Sequence, residues 1–337
     1  MHRITKLSCL FFLALALTAS ALAQTTSGSI SGNIADPNQA AVAGATVTVS
    51  DESKGFSISA TTDKEGRFVF PSLSPGTYKL SVEAKGFKKS ERTGVQLVAN
   101  DKLTLGDLAL EVGATSETVT VTAEATLVQS ESAERSHAIQ GEIVQNIAVN
   151  GRGFISLASI ATGVVFNNNV GNSDAITNIA ANGLRTSANN LQLDGVAIVD
   201  TGNNGTMISV NLDAIAEFKV LTSNYQAEYG RSAGAQISAV SKGGTKDFHG
   251  SFYAFRRHDG MNANTWINNR NSTPTNRINK PRLDQRDIGY TIGGPAYIPG
   301  LFNEDKEKFF FFFSQEHQKR FTPPTTPLNV RVPTALE

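Results

Sequence analysis

The 337-residue sequence predicts a mainly β chain built from a small β-sandwich, an α+β unit and the first strands of an incomplete β-barrel. Three observations predict it. Residues 26–112 alternate apolar and polar side chains with period two between clusters of turn residues. Residues 135–247 replace that alternation with short apolar runs separated by Gly/Asn-rich turns. Residues 248–337 return to alternation, now dominated by aromatic side chains. Composition narrows the function classes. The 30 basic and 30 acidic residues balance, whereas a nucleic-acid binder carries a basic excess on some face. The single cysteine, Cys9, excludes a disulfide scaffold, a Cys-ligated zinc site and a Cys-X-X-Cys redox pair.

The chain opens on an export signal. Arg3 and Lys6 form a short positive region, Leu7 to Leu17 an apolar run, and Ala21-Leu22-Ala23 the small-x-small cleavage pattern. Residues 1–23 are therefore expected to be removed, leaving Gln24 as the mature N-terminus and no cysteine. The apolar run is too short to span a bilayer of ~30 Å.

The sandwich follows at 26–112. Ile30, Gly32 and Ile34 share one face, as do Ala45, Val47 and Val49, then Phe68 and Phe70, then Tyr78, Leu80 and Val82. Turns at Asp36-Pro37-Asn38, Asp63-Lys64-Glu65-Gly66, Ser74-Pro75-Gly76 and Lys85-Gly86 separate seven expected strands. Asp63 is placed to accept backbone amides two residues on, and Gly66 supplies a positive φ. The runs Gly44-Ala45-Thr46-Val47, Thr62-Asp63-Lys64-Glu65-Gly66-Arg67-Phe68, Leu73-Ser74-Pro75-Gly76-Thr77-Tyr78 and Gly86-Phe87 resemble the carboxypeptidase regulatory-like domain, a transthyretin-like or carbohydrate-binding-like sandwich. The resemblance implies an accessory domain without protease chemistry.

Residues 113–134 form a linker. Within it Glu117, Thr118, Val119, Thr120, Val121, Thr122 and Ala123 are alternating and β-branched, which favours an extended strand. The plain reading is a last strand of the sandwich. The sharper one is that the segment resembles a TonB box, which docks on an energy-transducing partner by donating main-chain hydrogen bonds to a sheet edge.

In 135–247, Ile139, Ile143, Val144 and Ile147 fall at helical spacing and predict a short amphipathic helix ending near Asn150-Gly151. Asp213 is expected to cap a helical turn through Glu217. Three signatures then carry a resemblance: Asn182 to Asn190 with Leu193-Asp194-Gly195-Val196, Asp213 to Val220, and Tyr225 to Gly234 running through Lys242 to Gly250. They resemble the plug of TonB-dependent outer-membrane receptors, in the Oar-like group that carries an N-terminal regulatory-like sandwich. Gly230-Arg231-Ser232-Ala233-Gly234 also fits the G-x-S-x-G elbow of serine hydrolases. That elbow needs a hydrophobic strand before it and a helix after it, and here polar residues precede it and the alternating run 235–241 follows.

In 248–337, strands are expected at Gly250–Arg256, Asp287–Pro295 and Lys308–Glu316, with a long polar loop from Asn262 to Asp284. Five consecutive phenylalanines, Phe309 to Phe313, suit a lipid-facing strand and would invite aggregation in water. Plugged transporters close about 22 strands, whereas the 90 residues from Phe248 to Glu337 hold about four. An open sheet leaves its edge amides unsatisfied in lipid, so the sequence is expected to be either a fragment of a longer protein or a truncated gene product.

The resemblance implies an outer-membrane receptor or transporter in which a plug gates a barrel, with sandwich and plug on the periplasmic side. Implied partners are a TonB-type energy transducer, outer-membrane lipid and a substrate that could be a glycan, siderophore, peptide or protein. No cofactor, metal or catalytic residue is expected. The alternative is a secreted or surface carbohydrate-binding or adhesion protein.

Overall fold

The computed structural model describes residues 26–321, apart from 115–117, 123–132, 148, 150–151, 168–175, 201, 203, 227–228, 231 and 281. The export signal thus lies outside the described residues.

Seven strands build the sandwich: β1 Gly28–Ala35, β2 Thr46–Asp51, β3 Phe56–Thr61, β4 Arg67–Leu73, β5 Gly76–Glu83, β6 Lys89–Leu97 and β7 Lys102–Ala109. One sheet runs β4-β1-β7, the other β3-β2-β5-β6 and onward to β8, Thr118–Thr122. Alternation explains the layers. Ile30, Ile34, Val47, Val49, Phe68, Phe70, Leu80 and Val82 are buried between the sheets, and the Phe68 and Phe70 rings meet edge to face at 6.0 Å. Turn chemistry sets the register. The Asp63 carboxylate accepts the Glu65 and Arg67 amides at 3.0 and 2.8 Å. Gly66 stands at φ 78°, and a Cβ there would lie 2.6 Å from the Ile34 carbonyl oxygen. Tyr78 closes the base by donating its hydroxyl to the Ser74 carbonyl at 2.6 Å, and burial pushes the phenol up to about 12.

The central unit departs from its sequence reading at two places. Ile139 belongs to strand β9, Arg135–Gln140, and the helix α1 is only Glu142–Asn146. Gly141, at φ 58°, separates them. Ile139 reaches the core from a strand while Ile143 is exposed, so the helical spacing was a coincidence of strand and helix residues. Likewise Asp213 lies inside a 3₁₀ turn, Leu212–Ala214, and Glu217 in strand β14, because Ile215–Ser223 is a central strand.

The remaining strands of this unit are β10 Val164–Phe166, β11 Ile179–Ala181, β12 Asn190–Leu193, β13 Val196–Ala197 and β15 Gln236–Ser241. Its main sheet runs β13-β12-β15-β14-β9, with β9 at one edge. Phe154, Leu157, Leu191, Phe218, Val220 and Ile237 form its core. Ser232 donates to the Ala235 carbonyl at 3.4 Å in a turn that leads into β15, the strand expected there in place of a hydrolase helix.

Three long antiparallel strands follow: β16 His249–His258, β17 Asp284–Pro295 and β18 Phe310–Phe321. Between the first two stands a loop with a short helix, α2, Trp266–Asn271. Along β17, Gln285, Asp287 and Thr291 are buried, whereas Ile288, Tyr290 and Ile292 face outward. The phenylalanine run splits by the same rule. Phe311 and Phe313 face out, and Phe310 and Phe312 turn inward. No described helix is long and apolar enough to cross a membrane, which says nothing of strands.

Candidate functional site

Three features lie along the route from the linker to the C-terminal sheet. The first is β8, the described part of the predicted docking segment. Glu117 and Ala123 lie outside the described residues, while Thr118 to Thr122 pair in parallel with β6, in the register Lys89↔Thr118 to Thr93↔Thr122. Val119 is half-buried. β8 therefore ends the second sandwich sheet. The pairing is short and parallel, which is the weaker of the two ladder types per residue.

The second feature is a buried charge cluster where sandwich, linker and central unit meet. Lys219 on β14 is 2% exposed, and its Nζ donates to Asp101 Oδ1 and Glu134 Oε1, both at 2.7 Å. Burial alone would lower the Lys219 pKa, but the two carboxylates outweigh it and raise it. Two residues earlier on the same strand face, Glu217 accepts the Ala99 amide at 2.8 Å and the Gln140 side-chain amide at 3.2 Å. Burial raises the Glu217 pKa against those donors. Asp101 comes from the sandwich, Glu134 from the end of the linker and Lys219 from the central sheet, so one ammonium ties three segments together.

The third feature joins the central unit to the C-terminal sheet. Arg152, in a left-handed conformation at φ 56°, pairs with Asp213 and lies over the Phe255 and Tyr253 rings at 4.1 and 4.6 Å. Its Nε stands 3.9 Å from Glu316 on β18. The Tyr253 hydroxyl donates to Glu316 at 2.8 Å, and Asn211 reaches both Tyr253 and Ser314. Gly289 makes room for this ring, since a Cβ there would lie 2.3 Å from the Tyr253 hydroxyl oxygen. Burial raises the Asp213 carboxyl despite Arg152 beside it. A cavity of about 570 Å³ opens next to the cluster, lined by Ser209, Asn211, Lys242, Ser314 and Glu316. Burial lowers the Lys242 ammonium that faces it, partly offset by Asp213.

Sequence reasoning singled out the segment carrying β8 and missed both charge clusters. A signal existed for Lys219, a lone cation between Phe218 and Val220 in a run that alternates as a strand. Arg152, Asn211 and Glu316 are far apart along the chain and offered none.

Comparison with known proteins fits this arrangement. Residues 29–111 match the model of the carboxypeptidase regulatory-like domain, and residues 240–337 that of an outer membrane beta barrel domain. The TonB-dependent transporter Oar of Myxococcus xanthus is 27% identical over 260 residues, 74% of this chain and 23% of that protein. The chain thus spans about a quarter of the length of the curated relative it matches. Among solved structures, the siderophore receptor PirA from Acinetobacter baumannii aligns at 19% identity over 48% of this chain and 22% of its own, with a TM-score of 0.35. A 5-hydroxyisourate hydrolase of Klebsiella pneumoniae aligns at 22% identity over 26% of this chain and 94% of its own, with a TM-score of 0.20. A regulatory-like sandwich, a central unit joined to outward-apolar strands and the likeness to Oar follow one another along one sequence, which is thus similar to the Oar-like TonB-dependent receptors of the outer membrane.

Proposed function

We propose that this chain is the energy-coupled end of a transporter, in which a TonB-type transducer docks on residues 117–123 and loosens the plug, residues 135–247, inside its barrel. The observation that carries the reading is the placement of β8. A β-branched strand sits at a sheet edge, and Glu134, which pairs with Lys219, directly precedes β9, the edge strand of the central sheet. Tension applied at β8 reaches Glu134 first, where it acts on the ion pair with Lys219, and then the ladder between β9 and β14. An edge strand peels from one neighbour only, so its detachment leaves the rest of the sheet paired. The cavity beside Lys242 and Glu316, between the central unit and the barrel strands, is where a path for substrate would widen. The reading assigns no catalytic role to Ser232 or to any other residue.

The test uses backbone chemistry. Val119→Pro removes one amide donor and restricts the residue before it, whereas Val119→Thr keeps the donor and the branched shape. The proline variant is expected to abolish titratable binding to the C-terminal domain of a TonB-type transducer, and the threonine variant to bind like the parent. Equal binding by the proline variant and the parent would sink the docking role of this segment.

A further inference from the structure

We propose that the sandwich presents the docking strand in place, so that a partner strand adds to the outer edge of β8 while its inner edge stays on β6. The captured complex would then be one continuous sheet, β3-β2-β5-β6-β8 and the partner. This inference rests on the docking role proposed for residues 117–123 and goes beyond it by naming the surface on which docking occurs.

The first argument is the state of the edges. A strand at the end of a sheet carries a row of unpaired amides and carbonyls, and proteins blunt such edges with charge, proline, bulges or a covering segment. The sandwich blunts its other sheet in this way. β4 carries Pro71, and β7 carries Lys102, Asp107 and a register shift beside Gly106. β3, at the far end of the second sheet, lies beside β4. The edge that β8 covers was itself charged, through Lys89, Glu91 and Arg92 on β6. β8 replaces it with Thr-Val-Thr-Val-Thr, which has no charge, proline or glycine. Among the described residues, a blunted edge has thus been exchanged for one with no strand beyond it and with high strand propensity.

The second argument is entropic. A free segment must be ordered residue by residue when it binds by strand addition, and that cost weakens binding. β8 is already extended and held in register over Lys89 to Thr93. A strand-shaped partner therefore meets a prepared edge, and side-chain identity matters less than access to the backbone. The partner that fits is one offering an unpaired strand edge of its own.

The test pins β8 to β6 in the full chain in detergent micelles. Ser90 and Val119 are register partners, and Cys9 is the sole cysteine of the sequence and lies within the expected export signal. The double variant Ser90→Cys/Val119→Cys therefore offers one pair to oxidise, and Arg92→Cys/Val121→Cys gives a second pinned form should the first misfold. The probe is the isolated C-terminal domain of a TonB-type transducer. The disulfide is expected to form readily, and oxidised and reduced forms are expected to bind the probe within about threefold of each other. A tenfold or greater loss on oxidation would show that the strand must leave β6 before docking and overturn the proposal, with the docking role intact. Failure of both pairs to oxidise would overturn it as well, by removing β8 from the sandwich. Binding by neither oxidised form, reduced form nor parent would overturn the docking role and this inference together.

Discussion

The sandwich and the C-terminal sheet obey the same period-two alternation and bury opposite faces. In the sandwich, Phe68 and Phe70 on β4 point into an apolar core while Val69 between them faces out. In the C-terminal sheet, Gln285, Asp287 and Thr291 point in, and Ile288, Tyr290 and Ile292 point out. Period sets which residues share a face; it does not say which face meets what. That is decided by the surroundings. Water rewards burial of the apolar face, while a hydrocarbon exterior removes the penalty on showing it and raises the penalty on unsatisfied polar groups. The polar inner face of β16–β18 is served by the central unit, through Asn211, Arg152 and their partners Tyr253, Ser314 and Glu316. Each region is therefore a control for the other.

The largest expected effect lies inside the sandwich. Phe70 is 2% exposed and packs on Phe68. Phe70→Ala should destabilise the sandwich by roughly 3–5 kcal/mol, since a buried ring leaves a cavity that the core refills only in part. Denaturant unfolding followed by near-ultraviolet circular dichroism measures it, and the loss should be the same with or without lipid. A loss that disappears in lipid vesicles would break the comparison, because it would put the sandwich core in contact with the bilayer.

The next effect should depend on lipid altogether. Ile288, outward on β17 and 47% exposed, meets hydrocarbon if the outer face is lipid-facing. Ile288→Arg in a closed barrel that contains this sheet, embedded in vesicles, should then cost about 2–4 kcal/mol near the bilayer midplane and progressively less toward either interface. Urea-driven unfolding from vesicles reads this directly. A neutral result would mean that the outer face of β17 meets water or protein, and the inverted polarity would need another cause.

Much of this contrast was legible in the sequence, for a physical reason. Alternation and turn chemistry are local, so the seven sandwich strands, the Asp63–Gly66 turn and the three C-terminal strands could be read from neighbours along the chain. The strand ends were off by a few residues, as with β18, which runs from Phe310 to Phe321 and not from Lys308 to Glu316. The central unit misled where two periods met. Ile139 belongs to a strand and Val144 to a helix of five residues, and their spacing imitates one longer helix. The charge clusters were illegible because their partners are distant. Lys219 takes its carboxylates from Asp101 and Glu134, and Arg152 meets Glu316 on β18. What a lone charge in an apolar run announces is that a partner exists; its address is written in the fold.

The smallest expected effect sharpens the comparison most, because it repeats the same kind of substitution on the outward face of the sandwich. Val69 is 57% exposed on β4, an edge strand, with its neighbours on both sides buried. Val69→Lys introduces a cation as foreign to an apolar surround as the arginine at 288. In water it keeps its hydration, and its stem lies along the sheet while the ammonium reaches solvent. An added charge on an edge strand also discourages pairing with another chain. The change in stability should therefore stay within about 0.5 kcal/mol, with or without lipid. Thermal unfolding of the parent and the variant, each in buffer and on vesicles, supplies the four values needed. Equality of all four would assign the outer face of β4 to water and leave the inverted polarity to β16–β18 alone. A loss above about 1 kcal/mol that appears only on vesicles would instead place that face against the membrane, and the two regions would then share a solvent as well as a period.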